Sequence, residues 1–111
     1  MSGIRIFSEA GSVPWFEVAP GSKRRVLVHT EELMQVEFAF DTGAIGALHS
    51  HPHVQASYIA EGRFEVTVGG KVQVLGPGGS FIVPSNVEHG VKALEAGRLI
   101  DTFAPMRKDF L

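Results

Sequence analysis

Apolar and polar residues along the chain follow a period of two far more often than helical spacing, so the sequence predicts strands nearly everywhere and few helices. Met34, Val36, Phe38 and Phe40 form an unbroken apolar stripe, the signature of one buried strand face. Arg24 to His29 reads as the strand before it. Phe64, Val66 and Val68 are followed by Gly69-Gly70 and then Val72 and Val74, the pattern of a β-hairpin closed by a two-residue turn. Further short strands are predicted at 56–60, 80–83, 87–93 and 97–103. Gly76-Pro77-Gly78-Gly79 and Pro84-Ser85-Asn86 read as turns, and Glu31 to Met34 allows at most one turn of helix. Thirteen glycines and six prolines punctuate strands of similar length, which points to an all-β antiparallel sandwich or barrel.

Composition narrows the picture. With 111 residues, 44% of them apolar and 20% charged, the chain can bury one core, and residues 1–111 are expected to form one domain. No run of about 18 apolar residues suggests a membrane span, and the opening MSGIRIFSEAGS lacks the apolar segment of a secretory signal, so a cytoplasmic location is expected. A net charge of −2, with basic residues scattered apart from Lys23-Arg24-Arg25, gives no footprint for nucleic acid. Small antiparallel barrels expose strand edges that partners cover, and a homodimer is expected.

Candidate chemistry concentrates in two places. His49 and His51 are two apart, and on an extended strand such residues point to the same face. Gln55 shares their parity if the strand stays regular past Pro52, while His89 has to arrive from elsewhere in the fold. The absence of cysteine leaves nitrogen and oxygen as the only metal ligands. Three neutral imidazoles and an amide oxygen suit one divalent transition-metal ion, with zinc, nickel, manganese, iron and cobalt all compatible. His53 has the same parity but is expected to line the mouth of the site, because an ion with four protein ligands needs open positions for substrate. His29 has no partner in sequence and reads as structural, and Trp15 and Phe16 as core or dimer surface.

The second place is the C-terminal stretch, where Leu99, Asp101 and Phe103 share one strand face. An aspartate among large apolar groups either lines a pocket, paired or near a metal, or stands on a solvated barrel edge. Arg107 is either a surface cation or a guanidinium folded back to grip a carboxylate. Arg24 and Arg25 reach an anion only if their side of the strand faces inward.

These residues resemble the cupin superfamily. Its first motif, Gly, five residues, His-x-His, three or four residues, Glu, six residues, Gly, is matched by Gly43, His49, His51, Gln55 and Gly62, with Gln55 in place of glutamate. Its second motif is matched by Gly78, Pro84 and His89, with Asn86 where glycine is usual and Ala93 where asparagine is usual. The terminal LIDTFAPMRKDFL, together with GAIGALHSHPHVQ and the chain length, is similar to the pectin-degradation family KdgF within the cupins. That resemblance implies a single-domain jelly-roll barrel, a double-stranded β-helix, with metal ligands His49, His51, Gln55 and His89. It implies an enzyme that opens the ring of 4,5-unsaturated monouronates, products of pectate or alginate lyases, to the linear 5-keto-4-deoxyuronate. Asp101, Phe103 and Arg107 then occupy the active site, Asp101 as acid and base, Phe103 packing on the sugar ring, Arg107 orienting the anion. A fold does not fix a function, and a cupin-type dioxygenase, another sugar isomerase or a non-catalytic sugar-binding module are the alternatives.

Overall fold

The structure, a computed structural model, describes residues 4–111. Eight strands follow one another: β1 (Phe16–Ala19), β2 (Ser22–His29), β3 (Met34–Phe40), β4 (Ile45–His49), β5 (Val54–Val68), β6 (Lys71–Leu75), β7 (Ser80–Val83) and β8 (His89–Ala104). A short 3-10 helix, Lys108–Phe110, ends the chain. All pairings are antiparallel, in the order β1-β2-β3-β8-β5-β6, with β4 on β8 and β7 on β5. The architecture is all-β, as the period of two predicts.

Two long strands organise the molecule. β5 and β8 pair from Val54↔Ala104 to Val68↔His89, and each changes its other neighbour halfway along. The first half of β5 pairs with β7 and the second with β6, while β8 pairs first with β4 and then with β3. The crossover lies at register shifts between Ile59 and Phe64. Gly62 adopts φ +81° there, and a Cβ on Gly97 would run into the Glu61 carbonyl, so glycine lets the two backbones pass. This corrects the expectation of separate strands at 56–60 and 64–68, and at 87–93 and 97–103. The glycines bend two continuous strands rather than ending four short ones.

The chain between β2 and β3 is a bend, not a helical turn: the Thr30 N–H donates to the Leu33 carbonyl at 2.8 Å, and His29 pairs with Met34. His29 is the exposed last residue of β2. Among the described residues no helix is long and apolar enough to cross a membrane.

The predicted stripe on β3 is inward. Met34 and Val36 are wholly buried with Phe103 in one cluster, and Phe40 packs with Ile59, Phe64, Val66, Ala93 and Leu99 in another. Phe40 and Phe64 meet edge to face at 5.5 Å between centroids, a favoured quadrupole arrangement. Burying each such side chain stabilises the fold by about 1.5–3 kcal/mol. Beside these apolar clusters the inner wall turns polar, with Gln55, Ser57 and Asp101 all buried. The cross-strand pairs Gln55↔Phe103 and Ser57↔Asp101 set these four residues side by side on adjacent strands.

Candidate metal centre

His49 is the last residue of β4, His51 lies beyond the strand, Gln55 is the second residue of β5, and His89 opens β8 directly opposite His49. The expectation that one regular strand carries His49, His51 and Gln55 on a single face is therefore corrected, because the chain turns at Pro52-His53 before β5 begins. The turn is pinned from outside: the Asn86 N–H donates to the His51 carbonyl at 2.8 Å, and the Ser85 hydroxyl to the Pro52 carbonyl at 2.6 Å. Asn86 sits at φ +63°, where the cupin motif usually has glycine, and asparagine tolerates that left-handed conformation better than most residues.

The three imidazoles meet. One ligand nitrogen from each of His49, His51 and His89 lies within 4.8 Å of the others, a spacing at which the group could hold a metal ion. Their orientation follows from the backbone. Nδ1 of His49 faces the Ala47 carbonyl at 2.8 Å, Nδ1 of His51 the His53 carbonyl at 2.9 Å, and Nδ1 of His89 the Val87 carbonyl at 2.9 Å. A carbonyl can only accept, so each Nδ1 carries a proton, and in a neutral ring so oriented Nε2 presents the lone pair. Burial holds His51 below the ordinary histidine range, with Arg107 adding to the effect, and burial likewise lowers His89. Neutral rings are the ligand form.

Two observations fit this donor set to a cation. Nε2 of His89 is buried and has no hydrogen-bond partner among the described residues. Nε2 of His51 lies 3.1 Å from Oε1 of Gln55, whose amide nitrogen donates to the Ser57 hydroxyl at 3.0 Å and faces Asp101 Oδ2 at 3.4 Å. The amide is thereby oriented with its oxygen toward the histidines.

His49, His89 and Gln55 line a cavity of ≈ 390 Å³ together with Asp101, Phe103, Arg107, Phe110 and Arg24. Asp101 is the buried carboxylate of this wall, not an edge residue. Burial pushes its carboxyl up to about 7, against the opposing pull of the Ser57 hydroxyl and Arg107. Oδ1 of Asp101 has no partner among the described residues. The Phe103 ring meets His51 edge on at 5.7 Å and Phe110 at 5.7 Å.

Arg107 folds back, as one of its two expected placements requires. The chain leaves β8 through a cis Ala104-Pro105 bond, and the Met106 N–H donates to the Glu31 carbonyl at 3.0 Å. The Arg107 guanidinium then lies 4.3 Å from the Phe110 ring and 5.1 Å from that of Phe103. Its fork is taken by Asp109, at 3.1 and 2.9 Å. Arg24 faces the cavity, whereas Arg25 turns to the other side and pairs with Glu37 at 2.7 Å. His53 stays outside the triad, its ring 5.5 Å from that of His51 and its carbonyl accepting from Nδ1. Trp15 is half-buried beneath the Arg25 and Lys23 cations, and Phe16 is exposed. Sequence reasoning missed Ser57, although its parity with Gln55 was readable, and Asp109, whose pairing depends on the terminal 3-10 helix.

A small antiparallel barrel with a histidine triad and an inward carboxylate at one end defines a cupin, and residues 36–103 match the cupin domain family. The chain is 44% identical over 100 residues to the pectin degradation protein KdgF of Dickeya dadantii (strain 3937), covering 88% of this chain and 91% of that protein. It superimposes with a TM-score of 0.92 and 39% identity on KdgF from Halomonas sp., over 96% of this chain and 99% of that one. An RmlC-like cupin from Shewanella frigidimarina NCIMB 400 matches with a TM-score of 0.94 and 44% identity, over 96% of each chain. The chain belongs to the cupins, and among them to the KdgF family.

Proposed function

We propose that this protein is a metal-dependent isomerase that opens the ring of 4,5-unsaturated monouronates to the linear 5-keto-4-deoxyuronate. The observation that carries the reading is a cavity lined by His49 and His89 of a histidine triad and by a buried carboxyl poised near neutrality. Kinship with KdgF supports the substrate class. Pectate and alginate lyases release the same unsaturated monomer, and either origin suits the site.

His49, His51, Gln55 and His89 would hold one divalent transition-metal ion, nickel, zinc, manganese, iron or cobalt. When bound, the ion supplies Lewis-acid stabilisation of charge developing beside the C6 carboxylate. The remaining work is proton transfer. Asp101 takes the proton of the C1 hydroxyl, the C1–O5 bond breaks as C1 becomes a carbonyl, and the electron pair passes to O5. The resulting C4=C5 enolate collapses to a C5 ketone as Asp101 returns the proton to C4. Net, one proton moves from O1 to C4, and a carboxyl with a folded pKa of about 7 serves as base and then acid near neutral pH. Phe103 closes the cavity beside Asp101 and excludes water, and Arg107 adds positive charge for the substrate anion.

We also propose that the protein acts in the cytoplasm and as a homodimer. The apolar residues Val54, Tyr58 and Ile82 stand 43%, 49% and 63% exposed on the outer face of β5 and β7, a surface suited to a second copy.

The test is the loss of ultraviolet absorbance from the C4=C5 bond of an unsaturated monouronate. Metal-loaded protein is compared with chelated protein and with Asp101→Ala. Fast decay confined to the intact, loaded protein is expected; decay no faster than in buffer overturns the proposal.

A further inference from the structure

The cavity contains two arginines in different electrostatic situations. Arg107 already has a carboxylate in its fork, that of Asp109, held by two hydrogen bonds. Arg24 has none. Among the described residues its side chain makes no hydrogen bond and no ion pair, whereas Arg5, Arg25, Arg98 and Arg107 all do.

Strand parity explains the contrast. Ser22 and Arg24 line the cavity, and Arg25 between Arg24 and Val26 turns to the opposite face, where Glu37 receives it. Arg24 pairs across the ladder with Phe38, which lines the same cavity. Its guanidinium carbon stands 4.0 Å from the centroid of the Phe110 ring and 4.8 Å from that of Phe16. Aromatic faces hold the plane of a guanidinium while leaving its N–H groups free. Phe110 has the two cations about it, Arg107 at 4.3 Å.

A partly buried guanidinium without a hydrogen-bonded partner, stacked between rings in a cavity beside a second arginine, is an arrangement that gains from an incoming anion. Burial pushes the Arg24 pKa down, Asp109 opposes this, and Arg107 adds to it. A bound carboxylate would relieve the repulsion between the two arginines. Arg107, with its fork satisfied by Asp109, contributes charge at longer range.

We infer that Arg24 is the residue whose N–H fork receives the carboxylate of the sugar acid in this cavity, and so selects uronates over neutral sugars. The inference rests on the ring-opening reading for its substrate, and its test separates the two. Arg24→Gln and Arg24→Lys are prepared and their melting compared with that of the wild type. Turnover of the unsaturated monouronate is measured for all three, and calorimetry follows binding of glucuronate and of its uncharged amide.

With active wild-type enzyme, Arg24→Gln is expected to raise KM about 10- to 100-fold, the loss of charge-assisted hydrogen bonds, with much less effect on kcat. Arg24→Lys recovers part of the loss. An unchanged KM in a folded Arg24→Gln variant overturns the role of Arg24 and leaves ring-opening standing. If the wild type has no turnover, the ring-opening reading fails and calorimetry decides for Arg24. Binding of glucuronate over its amide that is lost in Arg24→Gln supports the inference. Equal binding by the variant, or no preference for the acid, overturns it.

Discussion

Nε2 of His51 and Oε1 of Gln55 face each other at 3.1 Å, and both are acceptors. The Nδ1 proton of His51 is committed to the His53 carbonyl, and the Gln55 amide hydrogens point to Ser57 and Asp101. Two lone pairs in van der Waals contact repel, and the buried Nε2 of His89 close by offers a third. A cation between them would satisfy all three at once.

The first prediction follows from that contact. Protein loaded with one divalent ion per chain should melt higher, since a ligand at 100 times its Kd stabilises by about 2.7 kcal/mol. His89→Ala should abolish metal retention on dialysis, and Gln55→Ala should weaken it. Elemental analysis and melting curves with and without chelator provide the check. Retention by His89→Ala equal to wild type would disprove the assignment of ligands.

Asp101→Asn keeps the shape of the side chain and removes its ability to carry a proton between O1 and C4. Turnover of the unsaturated monouronate should fall by about 10²- to 10⁴-fold, the usual contribution of a positioned acid or base. Metal content should stay at the wild-type level, because Asp101 touches the ligand set only through the Gln55 amide. Normal kcat in this variant would exclude the proton-transfer role.

How far the sequence discloses this site depends on which signal each residue carries. The stripe Met34-Val36-Phe38-Phe40 and the hairpin at Gly69-Gly70 were readable because a pleated strand has period two and a tight turn needs residues that accept positive φ. His49, His51, Gln55 and His89 do come together, but not as strand parity predicted. β4 stops at His49, and a turn held by Asn86 and Ser85 re-aims the chain. Gly62 and Gly97 look like strand ends in one dimension, and only the three-dimensional crossing of β5 and β8 shows them as points of close approach. Lys23-Arg24-Arg25 offers no apolar alternation, so nothing in it told which arginine faces inward.

That crossing yields a third prediction. A Cβ on Gly97 would collide with the Glu61 carbonyl and come within 2.8 Å of the Gly62 Cα, all backbone atoms that cannot rotate away. Gly97→Ala should therefore cost more than the typical mutation, about 3 kcal/mol or above. Gly70→Ala has the space for a methyl group, its strain coming only from φ +79°, and should cost about 1–2 kcal/mol. Equal urea midpoints for the two variants would mean that β5 and β8 do not pass this closely.

The last prediction concerns acid stability, and it lies on the opposite face of the sheet from the cavity. Glu37 on β3 is 4% exposed and receives Arg25 from β2 at 2.7 Å and Arg98 from β8, so one carboxylate ties three adjacent strands together. Burial pushes its pKa up, but the hydrogen bonds and charges of Arg98 and Arg25 outweigh this and hold it below the ordinary value. For an acid with a depressed folded pKa the stabilisation is complete above the unfolded pKa, about 4.3 for glutamate, and is lost as pH falls through the lower folded value. Unfolding free energy should hence hold through neutral and mildly acidic pH and decline below about pH 4. Glu37→Gln removes the charge and leaves two arginines facing a neutral amide. Because those arginines are 17% and 38% exposed, part of their charge stays solvated, and the loss at neutral pH should be about 2–3 kcal/mol rather than the full cost of a deeply buried break. The variant should also lose the part of the acid-side decline that belongs to Glu37. Urea titrations of both proteins from neutral pH to pH 3 measure this, and parallel declines would show that another carboxylate governs acid unfolding.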